Sequence, residues 1–433
     1  MDLEVSKSIL KIVREKLMSK NSIPQIRFQG FDSWWETIKL TDLGISVGGT
    51  AIESEFDLDG KYKVISIGSY SEEGKYKDQG IRVKYSKKTE RRILEKDDLT
   101  MILNDKTSTG KIIGRVLLID EDNSYVYNQR TQRICLDKNK YVPDFIFQLL
   151  NADINRNKIV RSAQGNTQIY VNWSDISNLD YLIPDSFDEQ SAIGILFRTL
   201  DDLLSSYKDN LANYQSLKTT MLSKMFPKAG QTVPEIRLDG FESEWELYEL
   251  KSRAETITKG TTPKDKSWQG EVNYIKTESI NRDTGSLVRT ASTSLEEHLG
   301  YLKRSILKEG DVLFSIVGTL GVVGIVDKKD LPANTNQQIA IIRLKSDDAI
   351  FMLNFLKSPR IKSFIKSDST IGAQPSLSLW QIEKIKVSLP PSLEEQQAIG
   401  AYFSNLDNLI NSHQEKISQL ETLKKKLLQD MFI

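Results

Sequence analysis

Glu189-Gln190-Ser191-Ala192-Ile193-Gly194, followed by Phe197, Leu200, Asp201 and Leu203, returns 206 residues later as Glu395-Gln396-Gln397-Ala398-Ile399-Gly400, Phe403, Leu406, Asp407 and Leu409. An earlier stretch, Pro24-Gln25-Ile26-Arg27-Phe28-Gln29-Gly30-Phe31 with Trp34 or Trp35 and Leu40, recurs after 210 residues as Pro234-Glu235-Ile236-Arg237-Leu238-Asp239-Gly240-Phe241 with Trp245 and Leu250. Both copies close on Met-Phe, at Met225-Phe226 and Met431-Phe432. An internal period of half the chain means two copies of one supersecondary plan. The fold and its ligand are therefore expected to share an approximate two-fold symmetry.

Downstream of each Glu-Gln motif the apolar spacing runs four, three, four, three. In the first copy the seam is Ile193, Phe197, Leu200, Leu204, Tyr207, Leu211, Tyr214, Lys218, Met221 and Met225. In the second it is Ile399, Phe403, Leu406, Ile410, His413, Ile417, Leu420, Lys424, Leu427 and Met431. A strict heptad in both copies predicts a coiled coil, most simply the two helices packed antiparallel, since a globule lies between them in the chain. The polar seam positions Lys218, Lys424, Tyr207 and His413 are read as setting register. Pro184-Asp185-Ser186 and Pro390-Pro391-Ser392 supply proline and a serine cap, with Glu189 and Glu395 placed three residues on as capping-box partners. Pro227 and Gly230 stop the first helix. From about 187 to 226 it would span about 57 Å, a rod able to hold two globules apart.

Before each helix lies a segment of short β-like runs broken by turn residues. Lys63–Gly68, Asp98–Leu103 and Gly114–Ile119 in the first half answer Val272–Ile275, Asp311–Gly318, Val322–Val326 and Ile339–Ile342 in the second. A helical stretch follows around Phe145 to Asn151. The expected fold class is α+β: two similar mixed globules of ordinary domain size alternating with two long helices.

Composition narrows the function. The chain has 433 residues, 39% of them hydrophobic and 27% charged, which places it among ordinary globular proteins and excludes disorder or a fibrous class. The start, Met1-Asp2-Leu3-Glu4, lacks an apolar leader, and no run approaches the roughly 20 apolar residues of a bilayer span, so a cytoplasmic location is expected. Cys135 as the single cysteine excludes an intramolecular disulfide or a thiolate zinc cluster, and His298 and His413 are the only histidines. Net charge is zero, so a basic surface must be local. From 75 to 92 Lys75, Lys77, Arg82, Lys84, Lys87, Lys88, Arg91 and Arg92 face only Asp78 and Glu90. That strip either contacts phosphate or guards a solvated edge strand.

Catalytic motifs fail. Thr107-Ser108-Thr109-Gly110-Lys111-Ile112 has Asp105 where a P-loop needs glycine and Ile112 where it needs Ser or Thr. Gly318-Thr319-Leu320-Gly321-Val322-Val323-Gly324 has the wrong spacing for a dinucleotide fingerprint and reads as a turn between strands. No Asn-Pro-Pro-aromatic, His-Glu-x-x-His or Gly-x-Ser-x-Gly run occurs. Two similar globules on a rigid spacer without catalytic equipment describe a ruler for two separated points. DNA half-sites about one helical turn, roughly 34 Å, apart are such points.

The paired motifs in this order resemble the specificity subunit of type I restriction-modification enzymes. The carrying residues are the Pro24 and Pro234 motifs, Leu182-Ile183-Pro184 with Leu389-Pro390-Pro391, the Glu-Gln-x-Ala-Ile-Gly runs, and Met221-Leu222-Ser223-Lys224-Met225-Phe226. The resemblance implies an N-terminal helix over 1–23, target recognition domains over 24–183 and 231–389, and conserved helical regions over 184–230 and 390–433. It implies that each recognition domain reads one half of a split, asymmetric duplex DNA site, while the helices dock methyltransferase subunits, two by symmetry, and through them restriction and translocase subunits. The chain itself would be non-enzymatic and free of cofactors, with S-adenosylmethionine, ATP and magnesium on its partners. By position, the residues expected to touch DNA are Gly49, Thr50, Ser66, Lys75, Lys77, Arg82, Lys84, Gln164 and Asn166 in the first globule, and Gly260, Thr261, Thr262, Lys276, Gln374 and Ser376 in the second. Each of these is equally suited to an ordinary turn. The rival reading is a coiled-coil adaptor whose globules bind proteins, without salt-sensitive duplex affinity.

Overall fold

Two helices of 38 residues each, Phe187–Lys224 and Leu393–Asp430, realise the repeated heptads. The computed structural model describes residues 23–370 and 375–433; the expected N-terminal helix, apart from Ile23, and Gln374 lie outside them. Along both helices most of the apolar seam is buried and flanked by exposed positions: Ile193, Phe197, Leu200, Leu204, Ile399, Phe403, Leu406, Ile410 and Ile417 are all buried, while Met221, Leu420 and Leu427 are half-buried. Leu211 is half-buried. The helices run antiparallel, as the heptads predict. Lys424 Nζ lies 2.6 Å from Asp201 Oδ1, and Lys218 pairs with Asp407. Each pair is the other shifted by 206 residues. The polar seam positions thus hold register through buried or half-buried ion pairs, and His413 packs edge-on against Tyr214 at 5.1 Å between rings.

The chain divides into two units, residues 1–206 with 417–433 and residues 207–416. Each long helix therefore begins in one unit and ends in the other. In the first unit a four-stranded antiparallel sheet is ordered Gly44–Gly48, Thr131–Leu136, Leu99–Ile102, Val116–Leu118. Beside it Arg82–Val83, Tyr62–Ile65 and Tyr125–Tyr127 make a three-stranded sheet, the last pair parallel. The second unit repeats both. Its larger sheet is Ala254–Lys259, Ile339–Leu344, Val312–Ser315, Val323–Ile325, and its smaller one Ser292–Thr293, Val272–Ile275, Ala333–Thr335. The helices Pro143–Asn151 and Ala349–Lys357 contribute most of their side chains to the two cores. As the sequence implies, Gly318–Gly321 is the turn between two antiparallel strands.

The repeated motifs are explained by what they hold. Trp35–Lys39 pairs antiparallel with Asp180–Pro184 immediately before the first long helix, and Glu246–Glu249 pairs with Lys386–Leu389 before the second. Across this junction Arg27 grips Glu189 bidentately, at 2.6 and 2.7 Å, and Trp35 Nε1 donates to the same carboxylate at 3.4 Å. Arg237 grips Glu395 at 2.8 Å through both nitrogens, with Trp245 donating at 3.2 Å. Trp35, rather than the exposed Trp34, is thus the partner of Trp245. This corrects the capping-box expectation. Ser186 and Ser392 do cap, each accepting from the glutamate N–H at 3.3 Å. The carboxylates turn inward to arginine instead of back to the serine, because a fixed fork of charged donors outbids one backbone N–H.

Each terminal Met-Phe fills the core of the unit where its helix ends. Phe432 stacks on Phe197 at 5.8 Å and meets Trp35 and Phe145. Phe226 stacks on Phe403 at 6.0 Å and meets Trp245, Phe351 and Phe355. Both phenylalanines are buried.

Candidate nucleic-acid interface

In both units the loops expected to touch DNA converge at one end of the sheets. In the first, Gly49 N donates to Thr131 O at 2.7 Å, Asn128 N to Ile65 O at 2.9 Å, Leu103 N to Arg130 O at 2.9 Å and Val171 N to Leu103 O at 2.9 Å. These bonds gather the loops after residues 48, 65, 102 and 127 and the hairpin around 164–170. The second unit repeats the arrangement: Gly260 N reaches Ile339 O at 3.2 Å, Ile316 N reaches Gln338 O at 2.7 Å and Gly318 N reaches Pro375 O at 2.9 Å.

Gly49 and Gly260 sit at equivalent places for a steric reason. A Cβ on Gly49 would lie 2.0 Å from Asn128 O, and one on Gly260 2.1 Å from Thr335 O. Only glycine lets the backbone pass so close, and the following Thr50 is left exposed while Thr261 and Thr262 are half-buried. The Thr261 hydroxyl is buried without a partner. Ser66 and Lys276 open matched one-turn helices, their N–H groups donating to Ser69 Oγ at 3.1 Å and Ser279 Oγ at 3.0 Å. Lys276 is not a free cation: its Nζ stands 3.7 Å from the centre of the Trp268 ring, a cation–π contact. Gln164 closes its hairpin through two backbone bonds to Tyr170, both 2.9 Å, which leaves Asn166 exposed at the tip. Ser376 has its hydroxyl 3.1 Å from Thr370 Oγ1 and bridges Val317.

The basic strip divides. Lys75 and Lys77 are exposed. Arg82 is held by Asp78 at 2.9 and 2.7 Å, and Lys84 by Asp57 at 2.6 Å. The Arg82 hydrogen bonds, with help from the Gly80 N–H, bring the Asp78 carboxyl down to about 2, so the pair stays ionised at neutral pH. Arg92 is spent on Gly48 O at 2.7 Å and Tyr127 Oη at 2.9 Å. Among the described residues no group of His, Cys, Asp and Glu is arranged to hold a metal ion, and no helix is long and apolar enough to cross a membrane.

One loop escaped the reading of the sequence. Asn128-Gln129-Arg130 and Asn336-Gln337-Gln338 connect equivalent strands at the centre of each loop cluster. The Asn-Gln echo, 208 residues apart, was the available signal. It is short and lies at an interval different from the other two, because the two globules differ in loop length.

Comparison with known proteins bears on this arrangement. The family model for the type I restriction modification DNA specificity domain matches twice, over residues 33–214 and 242–422. The type I restriction enzyme MjaVIII specificity subunit of Methanocaldococcus jannaschii is 22% identical over 408 residues, covering 91% of each chain. The EcoBI specificity subunit of Escherichia coli is 28% identical over 158 residues, covering 34% of this chain and 33% of that one. The crystal structure of the S subunit of a type I restriction-modification system from M. genitalium superposes with a TM-score of 0.63 at 18% identity, over 95% of this chain and 99% of the other.

Proposed function

Given that the chain belongs to the type I restriction-modification DNA specificity family and is the subunit of such a system that recognises DNA sequence, we propose that its two units read the two halves of one asymmetric bipartite site. The carrying observation is the repeated loop cluster: the same backbone bonds hold the loops at the same end of the same sheets, while their side chains differ. Thr50 is exposed where Thr261 is tucked in, and Ser66 stands where Lys276 packs on Trp268. Equal scaffolds with unequal tips read unequal sequences.

The long helices are the docking surfaces for two methyltransferase subunits, which in turn carry the restriction and translocase subunits. Leu203 and Leu217 on the first helix recur at 206 residues as Leu409 and Leu423 on the second. All four are exposed, at 42%, 36%, 41% and 45%. Leucines held in water at repeated positions outside a coiled-coil seam supply the apolar anchors that a twice-used interface needs. On this reading the chain is non-catalytic, and S-adenosylmethionine, ATP and magnesium chemistry belongs to the partners.

The test is co-expression with the methyltransferase chain of the same system, purification of the complex and mapping of methylated bases in genomic DNA. A single split motif with different halves is the expected result. A chain that neither forms the complex nor directs a motif is the protein-binding adaptor instead.

A further inference from the structure

Arginines near the interface are mostly committed. Arg92 bonds a backbone carbonyl and a tyrosine, and Arg133 pairs with the buried Asp98 at 2.6 Å. Arg130 differs. It is exposed at the centre of the loop cluster, and none of the hydrogen bonds, ion pairs or ring contacts among the described residues engages its guanidinium. Its backbone has φ +64°, a left-handed conformation that costs a side chain with a Cβ and that glycine would take freely. An unfavourable backbone is kept where the side chain it presents has a use.

The loop that presents Arg130 is fixed on both sides. Asn128 Oδ1 accepts from Gln129 N at 2.7 Å and Ile52 N at 3.2 Å, and Arg130 O accepts from Leu103 N at 2.9 Å. In the second unit Gln338 takes the equivalent place: its carbonyl accepts from Ile316 N at 2.7 Å and its N–H donates to Asn336 Oδ1 at 3.0 Å. Asn336 Nδ2 also donates to Gln338 Oε1 at 3.3 Å, which orients the half-buried carboxamide through its oxygen and leaves the amide N–H groups to donate elsewhere. Two turns at equivalent places, of which only the first has a left-handed final residue, thus end in a guanidinium in one unit and a carboxamide in the other.

Resting on the half-site reading above, we propose that Arg130 and Gln338 are matched specificity-determining residues, Arg130 reading a guanine in one half-site and Gln338 an adenine in the other. The chemistry follows from the groups. Two parallel N–H donors fit the O6 and N7 acceptors of guanine; one N–H donor beside one carbonyl acceptor fits N7 and the N6 amino group of adenine.

The experiment uses the full chain in complex with its methyltransferase subunits and maps genomic methylation for wild type, Arg130→Gln, Arg130→Lys, Arg130→Gly and Gln338→Arg. Arg130→Gln should relax or change one guanine in one half-site, with discrimination there falling roughly ten- to hundred-fold, while the other half keeps its sequence. Gln338→Arg should do the reciprocal. Arg130→Gly preserves the turn and serves as the folding control: melting no lower than wild type together with a degenerate position supports base reading. Arg130→Lys separates base from phosphate contact, because lysine keeps the charge and loses the fork. If Arg130→Lys retains the full motif while Arg130→Gln and Arg130→Gly weaken all sites equally, Arg130 is a phosphate contact and the inference falls. A wild-type complex that directs no motif sinks the half-site reading itself; a wild-type motif that none of the variants moves sinks this inference alone.

Discussion

The first and second units use the same frame and differ in how tightly it is sealed. In the first, the Lys424–Asp201 pair keeps 19% and 22% of its side-chain surface in water, and Gln148 Nε2 adds a bond to Asp201 at 3.1 Å. In the second, Lys218 and Asp407 keep only 9% and 12%. There Lys218 also donates to Asp283 O, and Lys357 donates to the same carbonyl at 3.0 Å. The residues that repeat in identity are those whose partners belong to the frame, namely Arg27 and Arg237, Glu189 and Glu395, Phe226 and Phe432. Side chains at the loop tips, such as Arg130 and Gln338, have no such partner to match, and they diverge.

The comparison breaks hardest at the terminal phenylalanines. Phe432→Ala removes a ring stacked among Phe197, Trp35 and Phe145, and should destabilise the first unit by about 3–5 kcal/mol. Phe226→Ala should do the same to the second. Hydrogen exchange would show it: protection lost in Thr131–Leu136 for one variant and in Ile339–Leu344 for the other. Equal loss in both strands for either variant would refute the assignment of each phenylalanine to one unit. Next come the glutamates. Glu189→Ala leaves the Arg27 fork, 11% exposed, without its carboxylate and should cost about 3 kcal/mol. Glu395→Ala should cost as much in the second unit. Were these glutamates only capping-box partners, chemical denaturation would register a loss of about 1 kcal/mol.

The contrast also shows what was legible in the sequence. The paired architecture was, because heptads and repeated motifs are statements of residue identity at fixed intervals. The partner of Glu189 was not. A serine followed by glutamate three residues on is the local signature of a cap, and nothing nearby points to an arginine 162 residues away. The strand Gly44–Gly48 was missed because glycines bound it and its Ile45 and Val47 face solvent, so it lacks a buried apolar run. Among the candidate contacts, type and neighbourhood could be read, but not prior commitment. Arg82 and Lys84 read as free cations until Asp78 and Asp57 fold onto them, and Arg130, with one adjacent Gln on its side of a short loop, carries no pattern until its φ is seen.

The smallest effect tests the tighter seal of the second unit. Burial, reinforced by the nearby charge of Lys218, brings the Lys357 ammonium down to about 7 from its ordinary 10.5. A lysine titrating lower in the folded state binds fewer protons there than in the unfolded chain between those two values. Stability of the second unit should therefore rise as pH increases from about 7 toward 10, with the full penalty present below 7. The first unit has Asn151 at this place, bonded to the backbone of Val116 at 3.1 and 3.0 Å, so the slope has no counterpart at this position. Because Lys357 keeps part of its surface in water, the penalty at pH 6 is on the order of 1 kcal/mol. Lys357→Met should remove it, raising protection in Ile339–Leu344 at pH 6 and flattening its rise with pH, while Thr131–Leu136 stays unchanged. A variant less stable than wild type at pH 6 would mean that the bond to Asp283 outweighs the buried charge, and the two units would then be sealed alike.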